Sequence, residues 1–345
     1  MNKYSFLDDY SEGCHPQILE ALSSTNTSQQ TAYGEDEYCI EARRLIRQRL
    51  GDDEASVHFV AGGTLANIIA ISSCLRPHEA VISAASGHIM LRETGAIEAT
   101  GHKIIAMASG NGKLTPEDVE SAIQNNAHFP HMAKPRLVYI SNATEFGTVY
   151  TKVELQALSA ICRSNNLLLL VDGARLGAAL SASKNDVSLS DLSRLCDIFW
   201  IGGTKAGALM GEAIVIANEK LRRDFSFHIK QRGALLAKGR VLGIQFRELF
   251  KADLFFEATR HANKMAEILA GGLADHGYQL AAETESNQVF PILPNTVSDH
   301  LAQHFDFHVW AKVDEQNTVV RLVTSWATDE SRVNAFIGQL APAGS

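Results

Sequence analysis

Short apolar runs alternate with amphipathic stretches through the first two thirds of the chain. Continuous apolar runs predict strands buried on both faces, and the amphipathic stretches between them predict helices. The predicted strands cover residues 57–60, 80–83, 103–108, 136–142, 167–172, 197–202 and 212–218. The predicted helices cover residues 35–50, 65–75, 89–100, 115–125 and 152–164. This alternation is typical of an α/β domain with a parallel or mixed sheet between helices.

The pattern changes after about residue 240, where the regular alternation stops. A long helical stretch is predicted first, and four strand-like runs and one more helix follow it. These elements cover 240–272, then 278–281, 288–293, 307–312 and 319–324, and finally 329–340. Because one hydrophobic core rarely grows past about 250–300 residues, a chain of 345 residues is expected to divide. We predict a large domain that includes the N-terminal segment at 1–240 and a small α+β domain at 241–345.

Composition and charge argue against several classes of protein. Hydrophobic residues make up 46% and charged residues 20% of the chain, as in folded globular proteins. The formal net charge of −8 argues against a nucleic-acid-binding protein, which would present a basic surface. No apolar stretch approaches the roughly 20 residues of a membrane helix, so no membrane partner is predicted.

The N-terminus and the cysteines indicate the compartment. The first nine residues are polar and acidic, without the apolar segment of a secretory signal. Cysteine occurs five times, and no pair has the CxxC spacing of a redox motif or a zinc site. Since disulfide frameworks belong to oxidising compartments, we predict a reduced, cytoplasmic protein that acts on a small molecule.

Three local features carry candidate chemistry. Gly63 and Thr64 open a predicted helix, where free backbone N–H groups bind phosphate, although an ordinary strand-to-helix turn has the same pattern. Asp172 ends the most apolar strand, at the edge where α/β sheets bind ligands, although it would also serve as a helix cap. Lys205 lies among small residues after another strand. Burial would make its amine a nucleophile, whereas a solvated lysine would remain protonated.

The three features together match the requirements of pyridoxal 5′-phosphate. This cofactor takes a lysine that forms a Schiff base, an acid that keeps the pyridine nitrogen protonated, and a cup for the phosphate. Neither GxGxxG nor GxxxxGK[ST] occurs in the chain. A protein that binds a nicotinamide cofactor or a nucleotide is therefore the disfavoured alternative.

The order of motifs resembles the threonine aldolase and β-eliminating lyase family of pyridoxal-phosphate enzymes. The resemblance runs from YGED at 33–36 to VRLVT at 320–324, through FVAGGTLAN at 59–67, GHI at 87–89, HFP at 128–130 and VDGAR at 171–175. It implies the aspartate aminotransferase-like fold known as fold type I. In that fold a large cofactor-binding domain has a mostly parallel sheet between helices, and a small α+β domain follows at the C-terminus.

The resemblance implies the residues that hold the cofactor. Lys205 matches the lysine that forms the Schiff base, and Asp172 matches the partner of the pyridine nitrogen. His88 matches the histidine that stacks on the cofactor ring, and Gly63 and Thr64 match the phosphate cup.

Further positions are assigned to the substrate and to a subunit contact. Arg175 lies where the family places an arginine near the O3′ oxygen of the cofactor and the substrate. Arg321 matches the arginine that clamps the substrate carboxylate, and Asp8, which stands where many members have a serine, is also assigned to the substrate. Arg232 lies in a basic stretch that resembles one reaching the cofactor phosphate, partly across a subunit boundary. We therefore predict a homo-oligomer, either a dimer or a dimer of dimers.

The implied reaction is retro-aldol cleavage of an L-β-hydroxy-α-amino acid, such as L-threonine or L-allo-threonine, to glycine and an aldehyde. Glu93 matches an acid that helps to hold a catalytic water, and His128 matches a residue near the substrate hydroxyl. The base is His88, His128 or the water near Glu93, and the sequence does not choose among them. With Lys205 and Asp172, these residues form the predicted catalytic set, and no metal site is predicted.

Three alternatives remain on the same scaffold. A β-eliminating lyase would act on an amino acid with a leaving group at Cβ and would release pyruvate and ammonia. A phenylserine aldolase would cleave an aromatic β-hydroxy amino acid. A catalytically silent cofactor-binding protein would show the cofactor spectrum without turnover.

Overall fold

The computed structural model describes residues 3–340 of the chain. In chain order the strands are β1 (Tyr4–Ser5), β2 (Ser56–Val60), β3 (Glu79–Ala84), β4 (Lys103–Met107), β5 (Lys134–Ser141), β6 (Leu168–Asp172), β7 (Ile198–Gly202), β8 (Glu212–Ile216), β9 (Gln288–Val289), β10 (Ile292–Pro294), β11 (Phe305–Asp306), β12 (His308–Lys312) and β13 (Asn317–Val323). The helices are α1 (Pro16–Ser24), α2 (Glu37–Leu50), α3 (Gly63–Cys74), α4 (His88–Leu91), α5 (Pro116–Asn125), α6 (Lys152–Ser164), α7 (Leu176–Leu180), α8 (Leu189–Leu195), α9 (Glu219–Arg222), α10 (Phe225–Gln231), α11 (Arg240–Lys251), α12 (Leu254–Asp275), α13 (Asn295–Leu301) and α14 (Glu330–Ile337).

The central sheet has seven strands and is mostly parallel, which confirms the predicted fold class. Its strands lie in the order β2-β8-β7-β6-β5-β3-β4. The five strands from β7 to β4 are parallel to one another, and β8 runs antiparallel to both of its neighbours. Carboxyl ends of the parallel strands therefore meet at one edge of the sheet, where α/β proteins place their sites.

Alternate residues of β6 belong to two different hydrophobic cores. Leu169 and Val171 pack in one core together with residues of α2, α6 and α11, whereas Leu168 and Leu170 pack in the other with residues of α3. Successive side chains of a strand point to opposite faces of the sheet. Helices on both faces thus explain why this strand is a continuous apolar run in the sequence.

The N-terminal segment packs with the C-terminal part of the chain. A smaller antiparallel sheet has the order β10-β13-β12, with β9 also paired to β13. β1 pairs in parallel with β11, and Phe6 is completely buried in one core with Leu269, Val320 and Phe336. The chain that follows β1 therefore begins beside the smaller sheet and continues toward the edge of the central sheet.

Core packing changes within α12. Helix α11 packs on α2, and Phe246, Phe250 and Phe255 belong to a core of the central sheet. Met265 and Leu269, further along α12, belong to the core of the smaller sheet. The division predicted at residue 240 does not coincide with this change, because the apolar face of α11 lies against the large sheet.

Two elements in the C-terminal part differ from the sequence prediction. The helix predicted over 240–272 is two helices, because Asp253 between them adopts a left-handed conformation with φ of +66°. A residue in that conformation cannot continue a right-handed helix. The strand predicted at 278–281 is only an isolated bridge between Leu280 and Pro291.

The helix predicted over 89–100 is also wrong. It consists of the short helix α4 and a single 3₁₀ turn at Glu98–Thr100. Thr94 and Gly95 between them have φ values of +53° and +71°, which end the α-helix. The apolar spacing suggested one helix, but the turn at these two residues interrupts it.

The five cysteines are all unpaired. Burial raises the pKa of Cys74 and of Cys162 to about 12, so both remain thiols at neutral pH. Within residues 3–340, no helix has both the length and the apolar character needed to cross a membrane.

Candidate active site

Three segments of the chain meet at one edge of the central sheet. β6 ends at Asp172, β7 ends at Gly202, and β8 begins at the same edge because it runs antiparallel. Glu212, the first residue of β8, lies opposite both Gly202 and the last residue of β2, Val60. The Asp172 carboxylate, the loop that carries Lys205 and the beginning of α3 are therefore close together.

These segments surround two adjoining cavities. The first cavity has a volume of about 310 Å³, and its lining includes five residues predicted to hold a cofactor: Gly63, Thr64, His88, Asp172 and Lys205. The second cavity has a volume of about 390 Å³, and its lining includes the predicted substrate residues Asp8, Arg175 and Arg321. Tyr10, His88 and Lys205 line both cavities.

The beginning of α3 fits an anion. Its N-cap residue, Gly62, has no side chain to bind the first backbone N–H groups of the helix. A Cβ atom at Gly63 would lie 2.9 Å from the ring of Trp200, whereas a Cβ at Gly62 would meet nothing within 4 Å. The helix end is therefore packed against the indole on one side and open on the other, which suits a phosphate group.

Asp172 is buried and accepts three hydrogen bonds. Its Oδ1 atom accepts the backbone N–H of Ala174 at 2.9 Å. Its Oδ2 atom accepts the side-chain amide of Asn67 at 2.9 Å and the hydroxyl of Tyr139 at 2.5 Å. Burial and the charge of Asp172 raise the pKa of Tyr139, so the phenol remains a donor. Such bonds stabilise the charged form of the carboxylate.

His88 and Glu93 form a pair. The Nδ1 atom of His88 lies 2.8 Å from Oε1 of Glu93, and the Glu93 side chain has no exposed surface. Asn67 donates to the same oxygen at 2.8 Å, while Oε2 of Glu93 has no hydrogen-bond partner among the described residues. The backbone N–H of His88 donates to Glu145 at 2.9 Å. A buried carboxylate oxygen without a partner marks a place for a water molecule or another donor.

Lys205 lies in a 3₁₀ turn that Glu212 holds in place. The Glu212 carboxylate accepts the backbone N–H of Gly203 at 3.0 Å and the hydroxyl of Thr204 at 2.9 Å. Burial raises the pKa of Glu212 to about 8. Burial and the nearby guanidinium of Arg175 lower the pKa of Lys205. A lowered pKa favours the neutral amine, which is the form that attacks a carbonyl carbon.

Arg175 is fixed by Asp9 from the N-terminal segment. Its Nε and Nη2 atoms donate to the two carboxylate oxygens at 2.7 and 3.1 Å, which is a bidentate pair. Asn287 also donates to Asp9 at 2.9 Å. Burial alone would raise the pKa of Asp9, but the positive charges of Arg175 and Lys205 lower it. The pair thus fixes one guanidinium in the wall of the second cavity.

Arg321 on β13 lies on the wall of the second cavity. Its Nη2 atom donates to the Leu7 carbonyl at 3.2 Å and lies 4.0 Å from Oδ1 of Asp8. Its Nε atom is buried without a hydrogen-bond partner in the described part of the chain. The guanidinium carbon lies 5.1 Å from the ring centre of Trp310. A planar fork of donors that is half-buried and only partly paired fits a carboxylate.

Three predicted residues line neither cavity. Glu93 is buried and bonded to His88, and the other two are exposed. His128 is exposed in the loop before β5, at the amino end of that strand, whereas Asp172 and Lys205 follow carboxyl ends. Eight residues of strand span about 26 Å, which places His128 near the opposite edge of the sheet. Arg232 is exposed directly after α10. Either residue would need to act on the site of another copy of the chain.

Sequence reasoning missed several residues of the site: Asp9, Asn67, Tyr139, Glu145 and Glu212. Asn67 ends the FVAGGTLAN motif and Asp9 follows Asp8, so their positions were available in the sequence. Glu212 is a charged residue at the start of an apolar strand, which is an unusual place for an acid. No local signal marks Tyr139, because a tyrosine in a buried strand most often serves the core.

The site residues fit pyridoxal 5′-phosphate. A lysine, a buried carboxylate and an open helix N-terminus line one cavity, whose volume is within the range of small-molecule sites. The carboxylate already has three donors and keeps a face toward the cavity. These groups supply the Schiff-base, ring-nitrogen and phosphate contacts that this cofactor requires.

Comparison with known proteins gives consistent matches. The family model for beta-eliminating lyases matches residues 7–296. A low-specificity L-threonine aldolase of Pseudomonas sp. (strain NCIMB 10558) is 33% identical over 338 residues, which cover 96% of this chain and 95% of that protein. The structure of Leishmania major threonine aldolase is 50% identical, with a TM-score of 0.96 over 97% of this chain and 98% of that chain.

A more distant structure shares the fold alone. A double mutant of aspartate aminotransferase from Thermus thermophilus is 14% identical and has a TM-score of 0.71. The match covers 98% of this chain and 91% of that chain. The central sheet and the smaller sheet therefore belong to an architecture that proteins with different activities share.

Proposed function

This chain belongs to the beta-eliminating lyase family, and on that premise we propose that it is a pyridoxal-phosphate-dependent threonine aldolase. It cleaves L-threonine, L-allo-threonine or related L-β-hydroxy-α-amino acids to glycine and an aldehyde. The observation that carries the proposal is the meeting of the two cavities at Lys205. One cavity has the groups for the cofactor, and the other has Arg175 and Arg321 for an amino acid.

The residues of the first cavity have distinct roles. Pyridoxal phosphate, when bound, supplies an electron sink for the charge left at Cα when a bond to that carbon breaks. Lys205 would hold the cofactor through its amine. Asp172 would pair with the ring nitrogen, His88 would contact the ring, and the N–H groups at Gly63 and Thr64 would bind the phosphate.

The second cavity binds the amino acid. The substrate carboxylate lies between Arg321 and Arg175, and the unpaired Nε of Arg321 supplies one of its donors. Asp8 lies 4.0 Å from Arg321, beside the position proposed for the substrate carboxylate, and its negative charge limits the orientation of that carboxylate. Fixing the carboxylate aligns the Cα–Cβ bond relative to the cofactor ring, which is a large part of catalysis in such a site.

The base for the β-hydroxyl proton comes from the His88–Glu93 pair. His88 lines both cavities, and its Nδ1 atom lies 2.8 Å from Oε1 of the buried Glu93 carboxylate. A histidine backed by a carboxylate is a suitable general base near neutral pH. His128 remains a candidate only through another subunit.

A substrate panel tests the proposal. The purified protein, loaded with pyridoxal phosphate, is incubated with L-threonine, L-allo-threonine, L-phenylserine and D-threonine, and glycine is measured. We expect glycine from at least one of the L-threonine isomers and none from D-threonine. Cofactor uptake without glycine from any L substrate would mean a silent cofactor-binding protein, and a response to L-phenylserine alone would mean a phenylserine aldolase.

Replacing Arg321 is expected to weaken substrate binding and cleavage. Arg321→Ala removes a half-buried charged fork, so we expect kcat/KM for L-threonine to fall by at least about 10²-fold. Arg321→Lys keeps the charge without the fork, so its loss should be smaller but clear. Affinity for pyridoxal phosphate, measured by absorbance titration, should change little.

The matched control for Arg321 is Arg332→Ala. Arg332 is an exposed arginine on α14, stacked 5.7 Å from the ring centre of Tyr4 and remote from both cavities. This variant should keep kcat/KM near the parent value. The carboxylate role of Arg321 is incorrect if Arg321→Ala loses the cofactor and keeps its substrate affinity after reconstitution.

The active enzyme is a homo-oligomer, a dimer or a dimer of dimers, with a shared site. Among the described residues that line the first cavity, Lys205 is the only lysine or arginine, and the Schiff base occupies its amine. A doubly charged phosphate therefore lacks a dedicated cation within one chain. Arg232 of a second subunit is the residue that we assign to this place.

Subunit complementation tests the shared site. Lys205→Ala and Arg232→Ala are co-expressed, so that mixed oligomers contain one site with both native residues. We expect activity well above that of either variant alone. Lys205→Ala and Asp172→Asn serve as the control pair. Both residues belong to the site of their own chain, so every site of the mixed oligomer keeps one defect and co-expression should give no such recovery. A fully active monomer in sedimentation at assay concentration would contradict the assignment.

A further inference from the structure

Asn67 lies at the centre of the site and has no part in the roles given so far. It is a residue of the first turns of α3 and is completely buried. Its Nδ2 atom donates to Oε1 of Glu93 at 2.8 Å and to Oδ2 of Asp172 at 2.9 Å. Its Oδ1 atom accepts the indole N–H of Trp200 at 3.0 Å. All of the polar groups of this side chain are therefore used.

The contact with Trp200 fixes which way the amide points. An indole N–H is only a donor, so the group that it meets must be the carbonyl oxygen of Asn67. Both N–H groups then face Glu93 and Asp172, which accept. The reversed orientation would place N–H against N–H and an oxygen against two carboxylates, so the network allows one orientation only.

The two carboxylates that share this amide are both buried. Glu93 is 6% exposed and Asp172 is 3% exposed. Oxygens that bind the same nitrogen lie within about 6 Å of each other, a separation at which two buried negative charges disfavour one another. The two N–H groups of Asn67 lie between them and offset that repulsion.

We propose that Asn67 is a positioning residue that couples Asp172 to the His88–Glu93 pair and holds the two carboxylates at close range. Without its two N–H groups, the two negative charges lose the donor that they share, and the two side chains move apart. Asp172 then no longer lies where it meets the ring nitrogen, and the bond of Glu93 to His88 changes. This inference rests on the proposed function, since it assigns Asp172 to the cofactor ring.

The test measures cofactor affinity rather than turnover. Asn67→Leu keeps a similar volume and removes the donors. We expect the Kd for pyridoxal phosphate, from absorbance titration of the apoprotein, to rise about tenfold or more. Thermal unfolding of the apoprotein shows that the variant is folded. Asn67→Leu with a Kd within twofold of the parent overturns the proposal.

A second substitution separates charge coupling from simple packing. Glu93→Gln in the Asn67→Leu background removes one of the two facing charges, so it should recover most of the lost affinity. A merely structural role predicts no recovery, or a further loss. If Asn67→Leu is folded and Glu93→Gln recovers none of the lost affinity, the proposal is overturned as well.

Trp200→Phe provides an independent variant if Asn67→Leu does not fold. It removes the N–H that orients the amide, so the Kd should rise about threefold as the amide is freed to turn. An unchanged Kd in this variant overturns the proposal. A parent protein that takes up no pyridoxal phosphate would contradict the proposed function itself, whereas normal uptake by the parent and by Asn67→Leu would contradict this inference alone.

Discussion

Replacing Lys205 with alanine is expected to abolish the visible absorbance of the cofactor Schiff base and to lower glycine release by about 10³-fold or more. Removal of a covalent nucleophile costs at least this factor in enzymes whose catalytic groups act as a unit. Lys205 is the lysine in the lining of both cavities, and burial lowers its pKa toward the reactive neutral amine. The cofactor should still enter the cavity, because the helix end and Asp172 are unchanged.

The control for this variant is Lys184→Ala. Lys184 pairs with Glu283 at 2.5 Å and with Glu285 at 3.3 Å on the exposed surface. Its loss should leave both the visible absorbance and glycine release near the parent values. The assignment of Lys205 is incorrect if borohydride reduction of Lys205→Ala still fixes the cofactor on another lysine.

Replacing Asp172 with asparagine is expected to cause the second large loss of activity. The variant keeps the shape of the side chain and removes its charge, so the ring nitrogen loses the group that keeps it protonated. We expect kcat for glycine release to fall by about 10²-fold or more, the usual cost of removing one charged stabilising group from an active site. The change in the cofactor spectrum with pH should also differ from the parent.

Asp118→Asn serves as the matched control. Asp118 accepts hydrogen bonds from Thr115 at the start of α5, an exposed part of the molecule remote from the site. This variant should keep the parent kcat, with at most a small loss of thermal stability. Activity of Asp172→Asn within a few-fold of the parent would show that the ring acid is another residue.

Much of the site could be predicted because its residues follow strands. Asp172 and Lys205 come directly after apolar runs, and parallel strands place such residues at one edge of the sheet. The glycines before α3 were recognisable for the same reason. The family, the fold class and the lyase chemistry predicted from the motifs are confirmed by the matches to threonine aldolases and beta-eliminating lyases.

The supporting contacts could not be predicted, because they join residues that are far apart in sequence. Arg175 binds Asp9 across 166 positions, and Arg321 binds Leu7 across 314. Neither the periodicity of apolar residues nor the spacing of motifs in the sequence indicates such a pair. The pairing of β1 with β11, the buried Phe6 and the hydrogen bond from Asn287 to Asp9 hold the N-terminal segment at the site.

Local conformation explains the remaining differences. The turn at Thr94 and Gly95 interrupts an apolar spacing that looks helical, directly after Glu93, whose carboxylate pairs with His88. Positive φ at a non-glycine residue such as Thr94 is rare, so the sequence does not indicate it. Sequence reasoning therefore named Glu93 and His88 through resemblance and not through geometry.

The central claim is that this site breaks the Cα–Cβ bond of its substrate. The most direct measurement is the product balance from L-threonine, with glycine, acetaldehyde, 2-oxobutanoate and ammonia measured in one reaction of the cofactor-loaded protein. The account predicts glycine and acetaldehyde in equal amounts, and neither product from Lys205→Ala. Formation of 2-oxobutanoate and ammonia without glycine would mean cleavage at the Cβ–oxygen bond and would contradict it.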